Sequence, residues 1–199
     1  MALTVESLKS GIDRILATIE SEHGALTELD GKIGDGDLGI TLLKAFRELG
    51  RVKADFPADL GQALMRSASA VAKVSSSSFG TLLATSLMAV ARETKGTESV
   101  EWSNTSSYLD KAVAAMSARG KASLGDKTVL DAVAAASAAS AGLNDPVEIK
   151  SKALAAVDAA LDEFRGKPNK IGRARIFAER TIGLDDPGMV AFRLMLAAL

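Results

Sequence analysis

Cysteine is absent from the 199 residues, which excludes disulfides, thiolate zinc sites and cysteine nucleophiles and fits a reducing compartment. Histidine occurs once, at His23, in a polar segment, where it reads as a surface residue rather than a catalyst. Excess charge is missing as well. With 24 basic and 25 acidic side chains and a formal net charge of -1, the chain as a whole has no electrostatic reason to seek nucleic acid or an anionic membrane. The longest apolar stretch, Val129 to Ala141, contains Asp131 and several serines and falls short of the roughly 20 residues that a membrane span requires. The N-terminus, MALTVESLKSGIDR, lacks an uninterrupted apolar region, so it does not read as a secretory signal. These absences predict a soluble, cytoplasmic protein whose charge logic is local.

Apolar stripes at helical spacing fill the rest. Leu8, Ile12, Ile15, Leu16 and Ile19 form the first. Others run through Leu42, Phe46 and Leu49; Leu60, Leu64, Ala68 and Val71; and Phe79, Leu82, Leu83, Leu87 and Val90. Leu109, Val113 and Met116 begin the second half, followed by Val129, Leu130 and Val133, then Leu154, Val157, Leu161 and Phe164, and a terminal segment through Met195. About eight helices result, and no period-2 run of four or more β-branched or aromatic residues predicts a strand. Pro57, Pro146 and Pro187 each precede a stripe, as expected of first-turn prolines, whereas Pro168 sits between stripes and predicts a helix break. The Ala- and Ser-rich section 112–160 predicts closely packed helices. No composition shift marks a linker, so 1–199 is expected to be one domain.

Within KIGDGDLGIT, from Lys32 to Thr41, the hexapeptide GDGDLG fits the spacing of a dinucleotide-binding loop. It does not follow a strand, however, and its two aspartates would oppose a pyrophosphate. An EF-hand reading fails because position 6 is Ile40 and position 12 is Phe46. No G-x-x-x-x-G-K-[ST] motif is present either. What remains is Asp30, Asp35 and Asp37 interleaved with four glycines. Three close carboxylates raise one another's pKa unless a cation neutralises them, and Mg²⁺ accepts carboxylates together with phosphate oxygens and water. The residues leave two readings open: a metal site, or a solvated turn in which Asp30 and Asp37 cap neighbouring helices.

LDGKIGDGDLG resembles the signature of the nucleotide-binding subunit (L subunit, or C-terminal domain) of dihydroxyacetone kinases. SSFGTLLA from Ser77, ARGKASLGDKTVLDA from Ala118 and IGRARIFAERTIGLDDPG from Ile171 resemble further segments of that family in the same order. The resemblance implies an all-α, eight-helix antiparallel up-and-down barrel that binds ADP or ATP at one end through two Mg²⁺ ions. It assigns the metal to Asp30, Asp35 and Asp37 and nucleotide contacts to Leu38, Gly39, Ile40, Thr41, Ser75, Gly120, Val129, Arg173, Asp186, Pro187 and Gly188. Asp30, Asp35, Asp37 and Arg173 become the catalytic set, with Arg173 meeting the phosphate or leaving group. The implied activity is phosphoryl transfer to a hydroxyketone that a separate ketose-binding kinase subunit or domain holds on a histidine. ATP or a phosphocarrier protein is the implied donor, and a lipid in the barrel interior is a structural accessory that the family allows. As a nucleic-acid patch, the basic run Lys167, Lys170, Arg173, Arg175 and Arg180 lacks interleaved stacking aromatics.

Three departures from the family pattern bear on function. Leu38 replaces a histidine, Thr41 replaces an asparagine, and AKVSSSSFGT, from Ala72, replaces a glycine-rich loop. Either Lys73 adds compensating charge at the nucleotide or the nucleotide sits differently. Asp126 is expected only to cap a helix beginning at Lys127. The alternative function is a catalytically weakened regulator that binds a kinase subunit or a transcription factor.

Overall fold

The computed structural model describes residues 2–199. Helix α1, Val5–Ile33, starts at Thr4, whose side chain caps the Ser7 amide while Ser7 caps Thr4 in return. Ile12, Ile19, Leu26 and Ile33 are all buried and recur every seven residues. The helix therefore runs about four turns beyond the predicted stripe, at 3.6 residues per turn, through the polar segment ESEHGALTELDGK. Seven further helices follow: α2 Leu38–Val52, α3 Leu60–Val74, α4 Ser78–Glu93, α5 Thr105–Gly120, α6 Val129–Ser140, α7 Pro146–Arg165 and α8 Pro187–Ala198. Aspartates cap three of them: Asp59 at α3, Asp145 at α7 and Asp186 at α8. Pro146 and Pro187 occupy first-turn positions.

Every helix packs against the next in sequence, and α8 returns to α1. The result is the predicted closed ring of alternating helices, all-α in class. Large side chains from α1 to α4, joined by α8, make the main core, with Leu42, Phe46, Leu60 and Val71 at its centre. The seam of α6, α7 and α8 has four alanines, Ala132, Ala136, Ala153 and Ala160, beside Val157, Leu161, Phe164 and Met189. Small side chains there allow the close helix approach that the Ala-rich section predicted. Among the described residues, no helix is long and apolar enough to cross a membrane.

Three expectations require correction. Ala2–Thr4 pairs antiparallel with Ser99–Glu101 as strands β1 and β2; at three residues each, they fall below the four-residue pattern used to look for strands. Pro57 lies in the loop before α3 rather than in its first turn, because Asp59 starts that helix. Helix α6 begins at Val129, capped by Thr128 in a reciprocal box with Asp131. Asp126 does not cap it, and accepts instead from the Ser123 amide. Lys127 precedes the helix in a left-handed conformation, φ 61°.

Candidate functional site

The alternating topology puts the N-termini of the even-numbered helices at one end of the ring. A cavity of about 590 Å³ opens there. Its lining includes the starts of α2 (Asp37, Leu38), α4 (Ser77, Ser78, Phe79), α6 (Thr128, Val129) and α8 (Asp186, Pro187, Gly188). Each helix start carries unpaired amides and the positive end of a dipole. Four such ends around one cavity make an environment suited to a multiply charged anion.

The floor is acidic. Asp30 stands on the last turn of α1, Asp35 in the connection and Asp37 at the start of α2. One oxygen from each of the three lies within 4.8 Å of the others. The Asp30 carboxylate accepts the amides of Asp37 at 2.9 Å and Leu38 at 3.2 Å through Oδ2. It therefore caps α2 from the preceding helix, while Asp37 makes no side-chain cap of its own. Two glycines permit this geometry by close approach. A Cβ at Gly34 would fall 2.3 Å from Asp30 Oδ1, and one at Gly39 would fall 2.0 Å from the His23 carbonyl oxygen on α1. Gly31 and Gly39 lie within helices rather than in the loop.

Burial raises the Asp37 pKa, and the neighbouring charges of Asp35 and Asp30 raise it further, against Arg173 and Lys44. Three carboxylates gathered at this distance, with Arg173 reaching only Asp35 among them, are a donor set that suits a hard divalent cation. The same carboxylates would hold Mg²⁺, whose positive charge would neutralise and position phosphate oxygens beside the helix starts.

Opposite the floor stands the segment from Lys167 to Asp186. Arg173, 70% exposed along its side chain, reaches Asp35 at 3.0 Å. Ile171, Gly172 and Ala174 line the cavity beside it. Asp186 is buried, and its Oδ1 accepts the Met189 amide while Oδ2 accepts from Asn169 Nδ2, both at 2.9 Å. Burial pushes its carboxyl up to about 6, although these hydrogen bonds and the Lys127 charge pull the other way.

Of the residues singled out from the sequence, Asp30, Asp35, Asp37, Leu38, Gly120, Val129, Arg173, Asp186, Pro187 and Gly188 line this cavity together. Gly39, Ile40, Thr41 and Ser75 are not among the lining residues. Gly39 and Thr41 are buried behind Leu38, and Ile40 faces outward. Ser75 ends α3 with its hydroxyl beside Gly80 and 3.4 Å from the Ser77 hydroxyl, so Ser76, Ser77 and Ser78 line the cavity instead. Lys73 does not supply charge here. It belongs to α3, and its ammonium lies 3.9 Å from Glu48 of α2, on the outer face. His23 is not among the lining residues either.

The sequence reading passed over Lys127. It is fully buried and donates to the carbonyl oxygens of Lys167 at 2.7 Å and Thr181 at 2.9 Å. Its only signal was a lone charged residue just before the helix-capping Thr128, which no periodicity picks out.

A family model described as the DAK2 domain matches residues 32–199. An ADP-binding subunit, DhaL, of a PEP-dependent dihydroxyacetone kinase of Listeria innocua is 32% identical over 178 residues, 86% of this chain and 82% of that protein. The corresponding Escherichia coli subunit is 25% identical and covers 100% of this chain and 97% of its own. Human triokinase/FMN cyclase is 28% identical over 94% of this chain, but only 33% of that protein is spanned. The dihydroxyacetone kinase of C. freundii, solved with AMP-PNP and Mg²⁺, superposes with a TM-score of 0.76 at 22% identity, over 100% of this chain and 34% of that one.

Proposed function

Because the chain belongs to the DAK2 domain family, we propose that it is the Mg²⁺- and adenine-nucleotide-binding component of a two-part kinase. It would pass a phosphoryl group to a dihydroxyacetone-like ketose held by a partner subunit or domain. One observation carries this reading: three carboxylates converge within a ring of four helix N-termini, so that cation sites and anion sites adjoin. Phosphoryl transfer asks a protein mainly for positioning and charge stabilisation, and this is what such an arrangement supplies.

The roles divide accordingly. Asp30, Asp35 and Asp37 would hold the metal, with two ions the expected number. The amides at the starts of α4 and α8 orient phosphate oxygens, and the apolar lining of Phe79, Leu82, Val129 and Leu130 excludes water from one side of the nucleotide. Arg173 brings a guanidinium with several donors to the edge of the acidic floor, where it meets charge on the transferring group. Leu38, Gly120, Pro187 and Gly188 complete the nucleotide wall. The single histidine of the sequence, His23, does not line the cavity, so covalent capture of the ketose falls to the partner.

The names of the Listeria and E. coli relatives, ADP-binding subunits of PEP-dependent kinases, support a bound ADP that a phosphocarrier recharges over a freely exchanging ATP. Dissociation of labelled ADP separates the two: retention over many turnovers supports recharging, and exchange within one turnover supports free ATP. Calorimetry with ADP, with and without Mg²⁺, tests the nucleotide site itself. A metal-dependent heat is expected, and its absence removes the kinase reading. The buried Leu38, which presents no ionisable side chain to the cavity, favours a second reading as a regulator. Tight Mg²⁺–ADP binding without turnover beside the ketose-binding partner supports that alternative.

A further inference from the structure

Residues 171–174 line the cavity and lead into an exposed stretch to 180, in which only Ile171, Ala174 and Phe177 are even half-buried. Within this stretch, Ala178 takes φ 45° and ψ −123°, a conformation that favours glycine and costs on the order of 1–3 kcal/mol for other residues. Among the described residues, Arg173 to Asp35 is the ion pair that joins this stretch to the acidic floor. An exposed, strained loop does not hold an arginine over a target unless something fixes its base.

Lys127 stands at that base. Its ammonium donates to Lys167 O on the incoming strand of the loop and to Thr181 O on the outgoing one. Asn169 closes the same neck: its Nδ2 donates to Lys127 O and to Asp186 Oδ2, and its amide donates to Thr181 Oγ1. The Thr181 hydroxyl in turn donates to Ala178 O. Two further main-chain bonds, Gly183 N to Arg165 O and Lys170 N to Asp126 O, complete it. Lys127 does not line the cavity, and a fully buried ammonium is costly unless its hydrogen bonds are met. Here its acceptors are the two carbonyls on either side of the segment that carries Arg173.

Resting on the kinase reading above, we infer that Lys127 is a positioning residue for phosphoryl transfer, clamping the base of the 168–181 loop so that Arg173 is presented to the acidic floor. It acts through Arg173 and touches neither nucleotide nor metal. Loss of the clamp leaves the floor and the helix starts in place and frees the arginine.

The test uses Lys127→Met, Arg173→Ala and the double variant, with ADP and Mg²⁺ titrated alone and then with aluminium fluoride as a mimic of the transferring phosphoryl group. Wild type is expected to bind the fluoride complex more tightly than ADP alone. Lys127→Met is expected to keep ADP affinity within about 3-fold and to lose at least about 10-fold of the fluoride enhancement, the scale of one charge-assisted hydrogen bond. The double variant is expected to lose no more than Arg173→Ala, because both changes remove one interaction. Equal weakening of both complexes, or additive losses, overturns the inference and leaves Lys127 a purely structural residue.

Trypsin supplies an arm that needs no nucleotide. Arg173, Arg175 and Arg180 are exposed cleavage points, and Lys127→Met should be cut there at least about 10-fold faster than wild type while the helices survive, as expected of local opening. Unchanged cleavage overturns the clamp even if wild type binds no ADP, whereas accelerated cleavage without ADP binding upholds the clamp and removes the kinase reading. Should Lys127→Met fail to fold, Thr181→Val, which removes the hydroxyl shared by Asn169 and Ala178, should show the same pattern more weakly. No change in that variant overturns the proposal.

Discussion

The floor and the wall of the cavity are built on opposite principles. The floor is a local structure: Asp30 caps the helix that begins eight residues later, and all three carboxylates fall within that span. The wall is assembled at long range, since Lys127 is 40 and 54 residues from the carbonyls that it ties together. A local structure can be recognised from spacing and forms once its two helices do. A long-range one depends on the whole ring having closed, because loop entropy is recovered only when distant partners meet. On the proposed function, metal and nucleotide would bind at the floor and helix starts, and the wall would act on the reacting group.

The largest effect that should break this comparison is on the floor. Asp30→Ala removes a proposed metal donor and the cap of α2 together. Mg²⁺-dependent ADP affinity should drop by more than the roughly 10- to 100-fold typical of losing an outer partner of a metal site, as read by calorimetry. The lost cap should also lower unfolding stability by about 1 kcal/mol. Protonation should mimic the binding part. Burial and the charges of Asp35 and Asp30 raise the Asp37 pKa, so Mg²⁺-dependent binding should weaken on acidification.

On the wall the corresponding probe is Asp186. Its folded pKa of about 6 exceeds the roughly 3.9 of an unfolded aspartate. The folded chain therefore holds the extra proton between these values, and the contribution of Asp186 to stability falls as pH rises through that window. Denaturant curves for wild type and Asp186→Asn should diverge in favour of the variant by up to about 3 kcal/mol between pH 4 and pH 6, at about 1.4 kcal/mol for each pKa unit. A constant gap would mean that Asp186 stays charged despite its burial.

Smaller effects sharpen the contrast. Gly39→Ala places a methyl group against the His23 carbonyl, which is backbone and cannot rotate away. Overpacking of this kind costs about 1–3 kcal/mol, and thermal melting together with weaker metal binding should reveal that α1 and α2 have moved apart. Ala178→Gly should act in the other direction. Relief of the backbone strain is expected to stabilise by about 1 kcal/mol at most, leaving metal affinity untouched, because no ligand of the floor is disturbed.

Legibility from the sequence followed the same division. The helical stripes and the acidic trio were readable, as were the caps Asp145 and Asp186, because each depends on residues within a turn or two of one another. Leu26 and Ile33, separated from the first stripe by polar residues, extended α1 in a way that only burial against α2 revealed. The β1–β2 pair escaped because two three-residue segments nearly 100 residues apart carry no periodic signal. Lys73 was assigned to the nucleotide from its place in a motif, yet the helix continues through it and turns it toward Glu48. Ser75 and its neighbours differ by single steps around the start of α4, a distinction that spacing does not resolve.

By itself the sequence determined an all-helical chain, the positions of most helix starts and a cluster of three aspartates open to two readings, a cation site or a capping turn, since these depend on propensity, periodicity and charge at short separation. Only the tertiary structure decided that four helix starts share one cavity with that cluster, that Arg173 faces it, and that Lys127 closes the neck of the loop. Those relations arise when the ring closes and burial obliges each distant polar group to find its partner.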